Sequence, residues 1–350
     1  MEISEIAGLL KKLISTPSPS GEEQKAALLL RDFLSYHGVE FQTSKNNTWA
    51  VNLCFDQEKP VIMLNSHIDT VRPVPGWKSD PFQPLEEGDR ITGLGSNDAG
   101  ASLVCLLMTF FHFYRRDDLP FNLVFTATAE EENSGPNGVR IILDEIPRPT
   151  FVIVGEPTGM SLSIAERGLL VLDCLAVGKA GHAAREEGEN ALYKAIADIE
   201  LLRRYRFDKV SDLLGPVKIT VTQIEAGTQH NVIPDVCRFV VDVRTNEHYS
   251  NKEVYQTLAA LVGAQVTPRS FRLNSSGISL DHPFAQRARE LNLPFYGSPT
   301  TSDQAVIPFP SVKIGPGDSS RSHTAGEYIL MSELAAGVDI YIRLLEGLRL

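Results

Sequence analysis

The sequence predicts an α/β protein whose main domain has a mixed, largely parallel sheet flanked by helices, with a smaller α+β domain inserted into it. Two observations lead to this prediction. Apolar, strand-like segments alternate with helical segments in the first half of the chain and again near its end, whereas the middle follows a different order. The length of 350 residues also favours two domains over a single hydrophobic core.

Helix and strand signals alternate through the first half of the chain. Residues 21–36 are predicted to form a capped amphipathic helix, and the longer apolar run at 101–114 a second helix. Short apolar runs at 61–64, 122–126 and 151–154 are typical of strands that are buried on both faces. This alternation indicates an α/β layer with a largely parallel sheet.

The middle of the chain is predicted to run strand, helix, strand, strand, helix, strand. These segments are 169–177, 190–205, 218–224, 237–244, 252–263 and 265–273. That order is typical of a ferredoxin-like unit. From about residue 281 the chain returns to a helix, a short strand at 312–314, a Gly/Pro loop and a final helix. We therefore expect one α/β domain from residues 1–166 and 275–350, and an inserted domain at 167–274.

The composition argues against several classes of partner. The formal net charge is −11 and there is no Lys/Arg cluster, so nucleic acid is not expected. Residues 1–14 lack the basic start and apolar run of a signal peptide, and no run approaches the roughly 18 apolar residues that span a membrane. The isolated cysteines predict reduced, mostly buried thiols and a cytoplasmic location. They are Cys54, Cys105, Cys174 and Cys237.

Five segments with histidine or acidic residues follow predicted strands or lie in Gly-rich loops. His67 and Asp69 follow the strand at 61–64, where residues two apart project the same way. Asp98 lies in the Gly-rich segment 93–100. There it would either cap the next helix or bridge two cations with its two carboxylate oxygens.

The remaining segments add three carboxylates and a histidine. The triplet at 130–132 is either solvated or neutralised by a cation, and one member could bind metal while a neighbour serves as general base. Glu156 follows the strand at 151–154, and His323 ends a Gly/Pro loop. Singly, each residue has a common structural explanation. Together, two histidines and three carboxylates without cysteine are typical of zinc, with manganese or cobalt as substitutes.

The order of these motifs resembles that of the co-catalytic zinc amidohydrolases. His-x-Asp, a Gly-rich Asp, Glu-Glu, Gly-Glu-Pro and Gly-Pro-Gly…His follow one another over essentially the whole chain. That family includes acetylornithine deacetylase, succinyl-diaminopimelate desuccinylase, carboxypeptidase G and bacterial tripeptidases. The resemblance implies a zinc-exopeptidase-like catalytic domain with an inserted ferredoxin-like lid, which in relatives also forms a dimer contact.

The resemblance also implies a role for each residue. Two zinc ions would be held by His67, Asp98 and Glu156 and by Asp98, Glu132 and His323, with Asp98 shared. Asp69 would support His67, and Glu131 would be the general base. The peptide bond between Asp98 and Ala99 would be cis. A register shifted back by one position within the acidic triplet stays open.

The inserted domain carries residues that resemble the family's lid. His182 would contact the developing oxyanion, and Asn231 and Arg244 would bind the substrate, since a guanidinium group suits a carboxylate. Two departures leave the shape of the acyl pocket open. Ala183–Ala184 stands where relatives often have Ser-Ser, and Ala226–Gly227 stands in place of Gly-Gly.

These roles predict an amide hydrolase that removes the N-acyl group from a small amino acid. N-acetylornithine, in arginine biosynthesis, is the favoured substrate. N-acetyl- or N-succinyl-citrulline, N-acyl-lysine, and di- or tripeptides are the alternatives. We expect a homodimer through the lid. A metal-free binding protein of the same fold would have lost ligands, and this chain keeps all five and the base, which favours an enzyme.

Overall fold

The computed structural model describes residues 3–185 and 187–350. Seven α-helices lie in this part of the chain. They are α1 (Ile3–Ile14), α2 (Gln24–Tyr36), α3 (Ser102–Phe113), α4 (Ala191–Arg204), α5 (Asn251–Leu261), α6 (Pro283–Glu290) and α7 (Met331–Leu345). A turn at Ser96–Ala101 leads directly into α3.

Eighteen strands lie in the same described ranges. They are β1 (Gln42–Ser44), β2 (Asn47–Val51), β3 (Val61–His67), β4 (Leu85–Glu87), β5 (Arg90–Thr92), β6 (Asn122–Thr128), β7 (Phe151–Val154), β8 (Leu162–Glu166), β9 (Gly168–Val177), β10 (Gly181–His182), β11 (Lys218–Ala226), β12 (Val232–Ile233), β13 (Val236–Thr245), β14 (Gln265–Pro268), β15 (Ser276–Gly277), β16 (Phe295–Ser298), β17 (Ser311–Lys313) and β18 (Tyr328–Leu330).

The large sheet has its parallel strands at the centre. Its order is β1-β2-β6-β3-β7-β17-β8-β15, with β16 against β8. The neighbours β6, β3, β7 and β17 run parallel, while β2 and β8 pair antiparallel on either side of them. This arrangement confirms the predicted mixed, largely parallel sheet. It also brings the carboxyl ends of four strands to one edge.

Helices and loops cover both faces of this sheet. Every residue of β3, β6 and β7 is buried, which explains why their sequences are apolar without alternation. One face packs on α1, α2, α3 and α7 through a core that includes Leu10, Leu30, Phe110 and Tyr341. A smaller core on Met63 and Val124, with Ile142 of the loop after β6, covers the other face.

The chain divides into two compact units, which we call the first and the second unit. The first contains the chain up to Ile164, Gly277–Tyr296 and Ser302–Leu350, and the second contains Ala165–Ser276 and Gly297–Thr301. A small sheet, β18-β5-β4, belongs to the first unit. In the ranges that the structure describes, no helix is both long and apolar enough to cross a membrane.

The second unit has ferredoxin-like topology. Its four strands are antiparallel in the order β11-β13-β9-β14, and α4 and α5 connect them in the sequence βαββαβ. Burial alternates along β9 and β13, as expected for a sheet with helices on one face only. Asn190 caps α4, and Ser250 and Glu253 form a capping box at the start of α5.

Candidate metal centre

The predicted ligands lie at the carboxyl edge of the four parallel strands. His67 is the last residue of β3 and lies opposite Thr128, the last residue of β6. The acidic triplet begins two residues after β6, and Glu156 follows two residues after β7. The loop that ends at His323 follows β17. Strand order therefore brings together residues that are far apart in sequence.

His67 lies close to two carboxylates. Its Nε2 is 3.3 Å from Oδ1 of Asp98 and 3.8 Å from Oε1 of Glu156. The imidazole is buried, at 1% exposure. These three residues are the set that the resemblance assigns to one metal ion.

His323 lies close to the other set. Its Nε2 is 2.8 Å from Oε2 of Glu132 and 3.6 Å from Oδ2 of Asp98. The two carboxylate oxygens of Asp98 therefore face different histidines. The Asp98–Ala99 peptide bond is cis, as the resemblance predicts.

Asp69 joins His67 to the acidic triplet. Nδ1 of His67 lies 2.9 Å from the backbone oxygen of Asp69 and 3.5 Å from its Oδ1. The Asp69 carboxylate accepts the backbone N–H groups of Glu131 and Glu132, each at 3.1 Å, and the hydroxyl of Ser20 at 2.6 Å. The backbone oxygen of Asp69 therefore orients the imidazole, and its buried carboxylate fixes the turn that carries two of the acidic residues.

The three members of the acidic triplet have different surroundings. The carboxylate of Glu130 accepts the backbone N–H and the side-chain amide of Asn137, at 2.9 and 2.7 Å. Glu132 is bonded to His323. Burial, together with the nearby carboxylate of Glu156, raises the pKa of Glu131 well above its ordinary value, although the charge of His67 opposes this.

The pKa values of three members of the cluster are raised above their ordinary values. Burial and the neighbouring Asp98 raise the pKa of Glu156 to about 8. Burial lowers the pKa of His67, but hydrogen bonds to Asp69 and Asp98 outweigh it and leave that pKa well above its usual value. The hydrogen bond to Glu132 raises the pKa of His323 to about 9. Crowded carboxylates need positive charge nearby, and either protons or metal ions supply it.

The donor atoms fit divalent cations. Among the described residues, two groups place one donor atom of each member within 4.8 Å of the others: His67 with Glu131 and Glu156, and His67 with Asp98 and Glu132. The donors are imidazole nitrogen and carboxylate oxygen, which suit zinc, manganese or cobalt. His67 belongs to both groups, Asp98 to one and His323 to neither, so these groups differ from the two ligand sets that the resemblance implies.

Sequence reasoning missed two buried carboxylates beside this cluster. Glu327 accepts three backbone N–H groups of the segment that carries Asp98; burial nevertheless raises its pKa to about 7. Asp303 accepts the side chains of Asn65 and Thr128, both at 2.9 Å, and burial raises its pKa to about 6. Neither residue has a local sequence motif, since every one of these partners is distant in the chain.

The predicted lid residues lie in the second unit. Nδ1 of His182 accepts the backbone N–H of Ala184 at 3.1 Å, so the proton of a neutral imidazole lies on Nε2. The backbone oxygen of Asn231 accepts the N–H of Ala183 at 3.0 Å. Arg244 makes two hydrogen bonds to Asp242, of 2.8 and 3.1 Å. Two donors of the guanidinium group predicted to bind substrate are therefore already hydrogen-bonded to another residue of β13.

The chain matches a known family of peptidases over most of its length. Residues 63–347 match peptidase family M20/M25/M40. The chain is 26% identical to the succinyl-diaminopimelate desuccinylase of Xylella fastidiosa (strain 9a5c) over 377 residues, covering 99% of each protein. It is 27% identical to the LysW-lysine/LysW-ornithine hydrolase of Sulfurisphaera tokodaii, covering 98% of this chain and 95% of that protein.

A solved structure shares the whole fold. The YxeP protein of Bacillus subtilis, described as a dinuclear metal-binding peptidase of the M20 family, superposes with a TM-score of 0.75 at 18% identity. The similarity covers 98% of this chain and 97% of that one. Because the family match spans most of the chain, this protein belongs to peptidase family M20/M25/M40, which confirms the predicted relationship and the prediction of a hydrolase that acts on amide bonds.

Proposed function

We propose that this protein uses two zinc ions to hydrolyse the amide bond of an N-acylated diamino acid, with N-acetylornithine as the first candidate. The proposal rests mainly on the position of Asp98, whose two carboxylate oxygens face His67 and His323. The names of two relatives, a succinyl-diaminopimelate desuccinylase and a LysW-lysine/LysW-ornithine hydrolase, support the substrate class. The first name contains a succinyl group on a diamino acid, and the second contains lysine and ornithine, which are diamino acids.

The ligands divide into two sets that share Asp98. His67, Asp98 and Glu156 would hold one ion, and Asp98, Glu132 and His323 the other. When bound, such ions lower the pKa of a water molecule and polarise the amide carbonyl. The B. subtilis protein of the same fold is described as dinuclear, which supports two ions here.

Glu131 is the proposed general base. In the acidic triplet, the side chain of Glu130 is hydrogen-bonded to Asn137 and that of Glu132 to His323. The side chain of Glu131 makes neither of these bonds. A carboxyl group with a raised pKa accepts a proton readily and releases it again. Glu131 takes a proton from the attacking water and passes it to the leaving amine. Asp69 holds the Glu131 backbone and the His67 imidazole in place.

His182, Asn231 and Arg244 are the proposed substrate contacts of the second unit, which serves as the lid. Because Nδ1 of His182 accepts a backbone N–H, the proton of the neutral imidazole lies on Nε2, which can donate it to an oxyanion. Arg244 has five N–H donors, of which Asp242 accepts two. The remaining donors suit the carboxylate of an amino acid.

The second unit is also the proposed dimer contact. Strand β11 is at the edge of its sheet, where backbone N–H and C=O groups can form hydrogen bonds with a strand of another chain. Ile224 on this strand and Tyr193 and Ile196 on α4 are exposed apolar side chains, at 51%, 70% and 51%. Such residues favour association between two copies.

A substrate panel tests the proposed activity. The zinc-loaded protein is assayed with N-acetyl- and N-succinyl-ornithine, -lysine and -citrulline, N-succinyl-diaminopimelate, and di- and tripeptides. We expect the highest kcat/KM on an N-acylated diamino acid, and a kcat reduced by about 10²- to 10⁴-fold in Glu131→Gln. Hydrolysis of peptides alone would contradict the substrate class, and a wild-type kcat in Glu131→Gln would contradict the mechanism.

A further inference from the structure

The carboxylate of Glu327 lies against the backbone that carries Asp98. Its Oε1 accepts the N–H groups of Asn97 and Asp98 at 2.8 and 2.9 Å, and its Oε2 accepts the N–H of Gly95 at 3.1 Å. Glu327 is only 1% exposed. A buried carboxylate is costly unless it is hydrogen-bonded, and these three donors satisfy it.

The backbone of Glu327 is attached to the same segment. Its carbonyl oxygen accepts the N–H of Gly93 at 3.0 Å, and β18, which follows it, pairs with β5, which ends at Thr92. One residue therefore holds both the start and the end of the segment from Gly93 to Asp98.

Asn97 ties this segment to the loop of His323. Its Nδ2 donates to the backbone oxygen of Asp318 at 3.1 Å and to Oγ of Ser322 at 3.3 Å, and its Oδ1 accepts the N–H of Asp318 at 3.1 Å. Gly317 packs so closely on this amide that a Cβ there would collide with it. The segments with Asp98 and His323 thus hold each other through atoms that are not metal donors.

We propose that Glu327 is a positioning residue for the metal centre: by accepting the N–H groups of Gly95, Asn97 and Asp98, it fixes the Asp98 carboxylate between His67 and His323 before a cation binds. This inference rests on the proposed function, since it concerns that function's ligands. The segment is ordered on folding, so metal binding does not have to offset the conformational entropy that is lost when the segment is ordered.

The test is the zinc affinity of Glu327→Gln. The glutamine keeps the shape of the side chain but places an N–H₂ group opposite the N–H of Gly95, so that bond is lost. We expect the Kd for zinc, titrated into metal-stripped protein against a chromophoric chelator, to rise roughly 10- to 100-fold. Excess zinc should restore turnover.

Asp198→Asn is the matched control. Asp198 is a buried carboxylate of the second unit that accepts the N–H groups of Gly263 and Ala264 at 2.9 and 2.8 Å. Its substitution should lower the unfolding temperature but leave the Kd for zinc unchanged. A zinc affinity that falls equally in both variants would mean a general loss of stability, and would overturn the inference.

Two further outcomes separate the inference from the proposed function. A wild-type Kd in Glu327→Gln overturns the positioning role and leaves the proposed function intact, whereas a wild-type protein that binds no zinc overturns both. If the variant does not fold, hydrogen exchange of the metal-free wild-type protein tests whether Glu327 holds the segment in place before metal binds. The amides of Asn97 and Asp98 should be protected, and exchange at the rate of free amides would refute the contact.

Discussion

The backbone N–H of Glu131 donates a hydrogen bond to Oδ1 of Asp69 at 3.1 Å. The same carboxylate oxygen lies 3.5 Å from Nδ1 of His67. Nδ1 of His67 lies nearer, at 2.9 Å, to the backbone oxygen of Asp69. Asp69 therefore orients a proposed metal ligand and a proposed base. Hydrogen bonds and the neighbouring imidazole hold the pKa of Asp69 below its ordinary value despite burial, so it stays a carboxylate near neutral pH.

Asp69→Asn should lower kcat on the best substrate roughly 10- to 100-fold at saturating zinc. The asparagine amide cannot accept the N–H groups of both Glu131 and Glu132, and it removes the charge beside His67. Asp80→Asn is the control, because that aspartate accepts a backbone N–H from Phe82 elsewhere in the first unit. An unchanged kcat in Asp69→Asn would refute the proposal that Asp69 supports His67 and Glu131.

Glu131→Gln and Glu130→Gln together test the register of the acidic triplet. Glu131→Gln should reduce kcat by about 10²- to 10⁴-fold, because it removes the proton acceptor. Glu130→Gln should have a far smaller effect, since its carboxylate is bonded to Asn137. Steady-state kinetics on zinc-loaded protein measure both. If Glu130→Gln is the more damaging change, the register shifts back by one position.

The metal-free protein should lose stability as pH rises from about 6.5 to 9. The folded protein raises the pKa of Glu156 to about 8 from 4.5 and that of His323 to about 9 from 6.5. Between these values the folded state binds more protons than the unfolded state, so the free energy of unfolding falls with increasing pH. The lowered pKa of Asp98 acts in the opposite sense, but at acidic pH.

Thermal unfolding of chelator-treated protein at pH 6.5, 8 and 9 measures this effect. Glu156→Gln should flatten the decline, because it removes one of the groups whose pKa is raised in the folded state. Added zinc should stabilise the protein more at pH 8 than at pH 6.5, since protons then compete less for the ligands. An unfolding temperature of the metal-free protein that increases with pH over this range would be incompatible with these pKa values.

Ile224→Lys should dissociate the proposed dimer. A charge on β11 disfavours pairing of two sheet edges. Light scattering after size exclusion should give twice 38.5 kDa for the wild type and 38.5 kDa for the variant. Leu85→Lys, at an exposed apolar position of β4 in the first unit, should stay dimeric. A monomeric wild type would refute the dimer.

The elements that sequence predicts best are those whose burial leaves a continuous apolar pattern. The run at 151–154 is β7, and those at 61–64 and 122–126 are the first parts of β3 and β6, which continue through polar residues to the site. Strands β4, β5 and β18 were not predicted, since three residues are too few to establish a period.

Part of the candidate site likewise cannot be predicted from sequence patterns. His67 ends a strand, Glu132 and Glu156 come soon after strands, and all three belong to motifs, so their proximity to one another could be predicted. Glu327 contacts N–H groups about 230 positions earlier, and no local pattern encodes such a contact. The pairing of Arg244 with Asp242 has a simple origin, because residues two apart on a strand share a face.

Two metal ions are proposed to bind in this cluster and to share Asp98. Anomalous diffraction at the zinc edge, from crystals of the protein loaded with zinc, would locate them. We predict two peaks, one beside His67 and Glu156 and one beside His323 and Glu132, with the Asp98 carboxylate next to both. No peak in this cluster, or a single peak that does not contact Asp98, would refute a shared two-metal site.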